Sequence, residues 1–132
     1  MEITFLTLEQ VRELHTEAIS KCSPAESGRI RDGALLESAV MAPQQTFDGE
    51  YLYPTIPGMA AAYLFGLAQN HAFENGNKRV AFSVCATFLL MNGFDLAMSN
   101  DEAFELTMRV VTHGISRQEL IEHIARSMKP AA

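Results

Sequence analysis

The chain has 132 residues, of which 48% are hydrophobic and 20% are charged, and its formal net charge at pH 7 is −6. This composition excludes an intrinsically disordered chain, and the acidic balance argues against direct binding to nucleic acid, which needs a basic surface. No apolar run reaches the roughly 18 residues of a membrane helix, so we expect no membrane insertion. The length favours a single domain over residues 1–132.

The N-terminus does not fit a secretory signal, because Glu2 is acidic and no basic segment precedes an apolar one. We therefore expect a cytoplasmic protein. Cys22 and Cys85 are the two cysteines of the chain, too few to suggest a disulfide framework or a four-ligand zinc site. We expect both to be reduced thiols that pack as small hydrophobic side chains.

The first predicted helix begins at a capping box over residues 7–10, and its apolar residues recur at helical spacing to about Lys21. Residues 22–31 contain proline, glycine and serine and are predicted to form a loop. Asp32 can then cap a second helix, which Pro43 ends.

A short β-hairpin or irregular flap is predicted next. Asp48 followed by Gly49 favours a tight turn, and aromatic side chains lie on both sides of this pair. These aromatic residues are Phe47, Tyr51 and Tyr53.

Two strongly apolar helices follow, with a polar segment between them. The first begins at Thr55 and runs to about Asn70, and its apolar residues cover nearly all sides, so we expect it to be central. The second begins at Asn77 and ends at Gly93, a plausible left-handed terminator.

Two further capping boxes begin at Ser99 and Ser116 and start helices that end near His113 and Met128. Together the elements predict an all-α fold, a compact bundle of about six helices with a short β-hairpin flap.

The polar segment between the apolar helices reads HAFENGNKR, residues 71–79. Lys78 and Arg79 fall in the first turn of a predicted helix, where each exposed cation opposes the helix dipole at a cost of about 0.3–1 kcal/mol. The arrangement is favourable if an anion such as a phosphate binds there, with Gly76 permitting close approach of the backbone. The alternative is that both are solvated surface cations that pair with Glu74 or another acid.

His71 can serve as a general base, although a lone histidine is more often structural. Phe73 is expected to anchor the loop in the core. Glu74 and Asn75 offer oxygen atoms to magnesium, but Asn75 followed by Gly76 also favours an ordinary turn. No Walker phosphate loop is present. The other histidines, His15, His113 and His123, are not expected to bind a metal.

Taken together, the residues of this segment resemble the signature of the Fic/Doc family, and Lys78 is similar to the lysine of its Doc, or death-on-curing, branch. The matching positions are His71, Phe73, Asn75, Gly76, Asn77, Lys78 and Arg79. The resemblance extends over nearly the whole chain, including the segments LTLEQVRELH and IRDGALLESAV.

This resemblance implies an all-helical fold whose motif binds ATP, as a substrate, together with Mg²⁺. It implies that His71 activates a Ser or Thr hydroxyl of a target protein. It further implies that Gly76, Asn77, Lys78 and Arg79 hold phosphates, with the two cations also stabilising the transferred group. Most Fic proteins transfer AMP and carry glycine at the position of Lys78. The lysine instead implies transfer of the terminal phosphate to a translation elongation factor, which halts protein synthesis.

The resemblance also assigns a metal ligand and a docking element. The family's usual magnesium ligand is Asp or Glu where this chain has Asn75, a weaker ligand, and Glu74 is the candidate to supplement it. The flap that contains Phe47, Tyr51 and Tyr53 occupies the position where the family docks its target segment.

No inhibitory helix is visible in the sequence, because Glu74 is the one glutamate that Gly or Asn follows, and the position four residues before it is Asn70. The resemblance therefore implies restraint by a separate, small, Phd-like antitoxin that covers an apolar groove. Two other functions remain open at this stage. One is transfer of AMP by the same fold, and the other is that of a non-catalytic module that binds an antitoxin.

Overall fold

The computed structural model describes residues 2–22 and 28–131, with the side chain of Cys22 excluded. The predicted all-α fold is confirmed, with two small sheets added to the helices. Residues 23–27 of the predicted loop lie outside the described part of the chain. The helices are α1 (Leu8–Cys22), α2 (Gly33–Met41), α3 (Ile56–Gln69), α4 (Asn77–Met91), α5 (Asn100–Val111) and α6 (Arg117–Ser127). The strands are β1 (Thr46–Phe47), β2 (Glu50–Tyr51), β3 (Phe94–Leu96) and β4 (Met128–Pro130).

The predicted helix starts are made by the side chains that the sequence indicated. Thr7 and Gln10 exchange side-chain to main-chain hydrogen bonds at the start of α1. Asp32 caps α2 and Thr55 caps α3. Both predicted capping boxes, at Ser99 and Ser116, are complete.

Helices α3 and α4 form the centre of the molecule, as their apolar composition predicted. Tyr63 of α3 and Phe88 of α4 are fully buried, and their rings lie 5.2 Å apart. The Tyr63 hydroxyl accepts a hydrogen bond from the backbone N–H of Leu6, and burial raises the Tyr63 pKa to about 12. None of the described helices is both long enough and apolar enough to cross a bilayer.

Cys85 is fully buried on α4, as predicted for a small hydrophobic side chain. Burial raises the pKa of its thiol to about 12, so the group is a neutral thiol at physiological pH. The side chain of Cys22, for which the same role was predicted, lies outside the described part of the structure.

The flap is a two-strand antiparallel hairpin in which Thr46 pairs with Tyr51 and Phe47 with Glu50. Asp48 and Gly49 both have positive φ, 54° and 82°, which is the backbone conformation of a type I′ turn. The predicted hairpin is thus confirmed.

The second sheet was not predicted. Strand β3 follows α4 and pairs antiparallel with β4 after α6, from Phe94 opposite Pro130 to Leu96 opposite Met128. Three-residue strands carry too little alternation to be detected, and their pairing depends on a partner far away in the sequence.

Candidate active site

The segment 71–76 makes a tight turn between α3 and α4. His71 has a φ of 52°, which is uncommon for a residue other than glycine, and Gly76 has a φ of 79°. A Cβ atom added to Gly76 would lie 2.9 Å from Cδ1 of Ile19. Glycine is therefore required at position 76 both by its backbone conformation and by the close packing against α1.

The main chain of this turn is tied to the segment that precedes α2. The backbone N–H groups of Arg31 and Asp32 donate to the carbonyl of Ala72 at 2.7 and 3.0 Å, and that of Glu74 donates to Arg29 at 3.0 Å. Nε of Arg31 also donates to the His71 carbonyl at 2.8 Å. These bonds fix the backbone beneath His71, whose side chain is exposed.

Asn77 closes the turn from its other end. Its side-chain oxygen accepts from the N–H of Phe73 at 3.1 Å, and its side-chain nitrogen donates to the carbonyl of Phe73 at 2.9 Å. The side-chain oxygen and one side-chain N–H of Asn77 are therefore bonded to the loop. Phosphate binding by Asn77 stays a prediction.

The N-terminus of α4 differs from the other described helix starts. Its N-cap is Gly76, and no side chain caps it. As in α2 and α3, its first turn contains no acidic residue. The first N–H groups of any helix have no partner within the helix, and an anion can satisfy them. Lys78 is exposed and Arg79 is half-buried in this first turn.

A buried histidine of α1, His15, packs against the turn. His15 is 1% exposed, and its ring is stacked on that of Phe73, with centroids 3.6 Å apart and an interplanar angle of 10°. Its Nε2 lies 2.7 Å from the carbonyl oxygen of Asn75. Burial lowers the pKa of His15, the hydrogen bond to Asn75 opposes this, and the positive charge of Arg79 lowers it further.

A cleft of about 1000 Å³ opens beside the turn. One end of it is lined by the motif residues to which the sequence analysis gave a chemical role. These are His71, Glu74, Asn75, Gly76, Asn77, Lys78 and Arg79. The other end lies between α4 and α5 and is more apolar, with Phe82, Phe104 and Met108 in its wall. One cavity therefore combines an exposed imidazole, two cations and an apolar extension.

Phe73 is 2% exposed and does not line the cleft, which is the environment of an anchor. The flap residues do not line the cleft either. Phe47 is 77% exposed, while the Tyr51 ring packs 5.8 Å from that of Phe5. Tyr53 is half-buried, and its hydroxyl accepts a hydrogen bond from Arg117. Docking by these three residues stays a prediction.

The oxygen donors at the cleft fit a magnesium ion that is held largely by phosphates. Glu74 is exposed and Asn75 half-buried, and within residues 2–22 and 28–131 no group of three or more His, Cys, Asp or Glu side chains could hold a metal. Mg²⁺ usually binds through one or two protein oxygens together with substrate phosphates and water. The donor set suits that arrangement and not a closed protein cage.

Two supporting residues, His15 and Arg31, were not assigned to the site from the sequence. The sequence does indicate that His15 is buried. Val11 and Ile19, one turn away on either side, are apolar and place the imidazole on the buried face of α1. A buried polar group requires a partner, but the sequence does not identify Asn75 as that partner. For Arg31 no signal distinguishes it from a surface cation.

Comparison with known proteins agrees with this geometry. The model of the Fic/DOC family matches residues 5–89, a span that contains the motif, the flap, all of α3 and most of α4. A protein of Mycolicibacterium smegmatis named Toxin Doc is 39% identical over 99 residues, which cover 74% of this chain and 76% of that protein. On both grounds, this chain belongs to the Fic/DOC family.

Proposed function

We propose that this protein is the toxin of a toxin–antitoxin system and that it transfers the terminal phosphate of ATP to a Ser or Thr hydroxyl of a translation elongation factor in the cytoplasm. The observation that carries the proposal is the placement of His71, Lys78 and Arg79 on one cleft at the uncapped start of α4. The similarity to Toxin Doc supports the toxin role.

The proposed division of labour follows from what each group can do. The first-turn N–H groups of α4 and the side chains of Lys78 and Arg79 would bind phosphate oxygens. The exposed imidazole of His71 would take the proton of the target hydroxyl. The hydroxyl oxygen then forms a bond to the terminal phosphorus as the bond from that phosphorus to the bridging oxygen breaks, and ADP leaves.

Positioning and charge stabilisation account for most of the catalysis in a phosphoryl transfer of this kind. The turn that carries His71 is tied to the segment before α2, to α1 and to α4 by the hydrogen bonds described above. Such multiple attachment suits a site in which a base and a phosphate must be held at a fixed separation.

Magnesium is part of the proposal as an ion bound with the nucleotide. Asn75, supplemented by Glu74, would contribute the protein oxygens, and the ion would supply positive charge to the phosphates. Because these ligands are few, we expect the ATP affinity of the protein to depend on Mg²⁺ mainly through the nucleotide.

The direct test uses ATP labelled on either the terminal or the α phosphate, purified elongation factors and Mg²⁺, with His71→Ala as the inactive reference. We expect the terminal label, and not the α label, to appear on one factor, and translation to stop in a cell-free extract. Transfer of the α label would show AMP transfer instead. No transfer to any factor, with the antitoxin still bound tightly, would indicate a non-catalytic module.

We further propose that a small, Phd-like antitoxin covers the apolar end of the cleft with a helix. Phe104 of α5 is 68% exposed and lies in this wall with Met108 and Phe82. An amphipathic helix laid into such a groove would bury these side chains, a common mode of peptide recognition. It would also obstruct the phosphate end of the same cleft.

Phe104→Ser tests this interaction against a matched control, Leu90→Ser. Leu90 is 56% exposed on α4 but does not line the cleft. We expect the Phe104 variant to bind the protein encoded beside the toxin gene at least tenfold more weakly, equivalent to about 1.4 kcal/mol. Equal affinities for the two variants would contradict the proposed binding surface.

A further inference from the structure

The buried His15 makes two specific contacts with the motif turn from a different helix. Its ring covers one face of Phe73 at a centroid distance of 3.6 Å, and its Nε2 lies 2.7 Å from the Asn75 carbonyl. A carbonyl oxygen only accepts hydrogen bonds, so Nε2 carries the proton and donates it. The neutral imidazole is sufficient for this bond, with Nδ1 then unprotonated.

The same ring also meets the residue that starts α4. A Cβ atom at Gly76 would lie 3.2 Å from Nε2 of His15. The imidazole therefore contacts Phe73 and Asn75 and occupies the space that a side chain at position 76 would need. These residues immediately precede the first-turn N–H groups of α4. A change in the ring would be transmitted to those groups through covalent neighbours.

We propose that His15 is a positioning residue for the phosphate site, holding residues 73–76 in the conformation that presents the start of α4 to an anion. This inference rests on the proposed function for the identity of the anion, the phosphates of ATP. His15 does not line the cleft and would not touch the substrate.

The alternative role, filling space in the core, does not account for the contacts. The neighbouring buried positions of α1 are occupied by Val11 and Ile19, which fill the interior without a polar atom. A leucine at position 15 would likewise fill space and bury apolar surface, but it would remove the donor that meets Asn75. Removing one partner of a buried hydrogen bond leaves the other with the full cost of desolvation.

Two substitutions distinguish a role of His15 in positioning residues 73–76 from a role in filling space in the core. His15→Leu keeps bulk and loses the donor, whereas His15→Gln loses the ring but retains an amide N–H that can reach toward the Asn75 carbonyl. His123→Gln, at a half-buried position of α6 that does not line the cleft, is the control. Each protein is examined for its melting temperature, for ATP affinity and for amide hydrogen exchange at Phe73, Glu74 and Val80, whose N–H groups donate to Asn77, Arg29 and Gly76.

We expect exchange at Phe73, Glu74 and Val80 to be about tenfold faster in His15→Leu, with a matching loss of ATP affinity and with exchange in the core of α3 unchanged. His15→Gln should recover most of the ATP affinity. The proposal would be overturned if His15→Leu bound ATP as the wild type does, or if exchange rose equally in α3 and α4. Failure of the glutamine to recover more affinity than the leucine would also overturn it.

Hydrogen exchange requires neither ATP nor a target protein, so it separates this inference from the proposed function. If the wild type transfers no phosphate, the proposed function fails, but the comparison between wild type and the His15 variants still tests positioning. If His15→Leu does not fold, His15→Met, which also keeps bulk without an N–H donor, takes its place. ATP affinity in His15→Met equal to that of His15→Gln would then overturn the proposal.

Discussion

The motif turn and the flap are both short connections with positive-φ residues, yet the rest of the chain holds them very differently. The turn is bonded to the segment before α2, braced internally by Asn77 and supported by His15. The flap is a pair of two-residue strands with Phe47 largely exposed at its turn. The motif turn, which we propose to perform the chemistry, is thus held by many contacts. The flap, which we propose to bind a protein target, is held by few and is accessible.

The largest expected effect comes from removing the proposed base. His71→Ala should lower the rate of phosphate transfer by a factor of about 100 to 10,000, the usual contribution of a positioned general base, and should leave ATP affinity nearly unchanged. Single-turnover kinetics with labelled ATP would measure the rate, and calorimetry the affinity.

His113→Ala is the matched control for this prediction. His113 is also exposed and has a similar φ, 60° compared with 52° for His71, so the backbone cost of the two substitutions should be alike. Equal activity of the two variants would remove His71 from the proposed chemistry.

The next largest effect is expected from removing the Asn77 side chain, which holds the motif turn together. Asn77→Ala removes two hydrogen bonds to the main chain of Phe73, so we expect the free energy of unfolding to fall by about 1–3 kcal/mol and ATP affinity to fall about tenfold. Urea denaturation and calorimetry would measure these changes.

Asn92→Ala provides the comparison. The Asn92 amide bonds in the same way to both main-chain groups of Thr4 and also donates to the carbonyl of Phe88, but it lies at the end of α4 opposite the site. We expect a similar loss of stability with ATP affinity retained. A loss of ATP affinity in both variants would mean that general loosening of the fold, and not the turn, controls binding.

The sequence predicted the difference between the motif turn and the flap only in part, because many of the contacts join residues that are far apart in the sequence. Caps such as that of Asp32 and the hairpin turn at Asp48 depend on neighbours within a few residues, so local patterns predicted them. The contacts of His15 with Asn75 and of Arg31 with His71 join residues 60 and 40 positions apart. No local pattern encodes such a pairing, and β3 with β4 was missed for the same reason.

A smaller effect is expected from the flap. Tyr51→Ala should raise the KM for the protein target several-fold, up to about tenfold, because an exposed aromatic side chain can contribute about 1 kcal/mol or more to an interface. The kcat and the ATP affinity should change little. Loss of ATP affinity would mean that the flap supports the fold, through the contact of Tyr51 with Phe5, more than it docks a target.

The smallest effect is a pH dependence of stability that originates at His15. Its pKa is lowered in the folded protein, chiefly by burial, so between that lowered pKa and the usual 6.5 the unfolded chain binds more protons. The stability contributed by His15 is therefore lost as the pH falls below 6.5 and is present above it.

His15→Gln should flatten this part of the pH profile, because glutamine does not titrate. Denaturation midpoints at pH 5, 6, 7 and 8, compared between the wild type and this variant, would reveal the difference. A His15→Gln profile parallel to that of the wild type would assign the acid sensitivity to other groups.

The proposed phosphate site is tested most directly by titrating ¹⁵N-labelled protein with ATP and Mg²⁺ while the chemical shifts of the backbone amides are recorded. We expect saturable chemical-shift changes at residues 76–79, at the start of α4, and no change at the flap amides of residues 46–51 until a target protein is added. Shifts confined to the flap, or no saturable shift at residues 76–79, would contradict the assignment of the phosphate site.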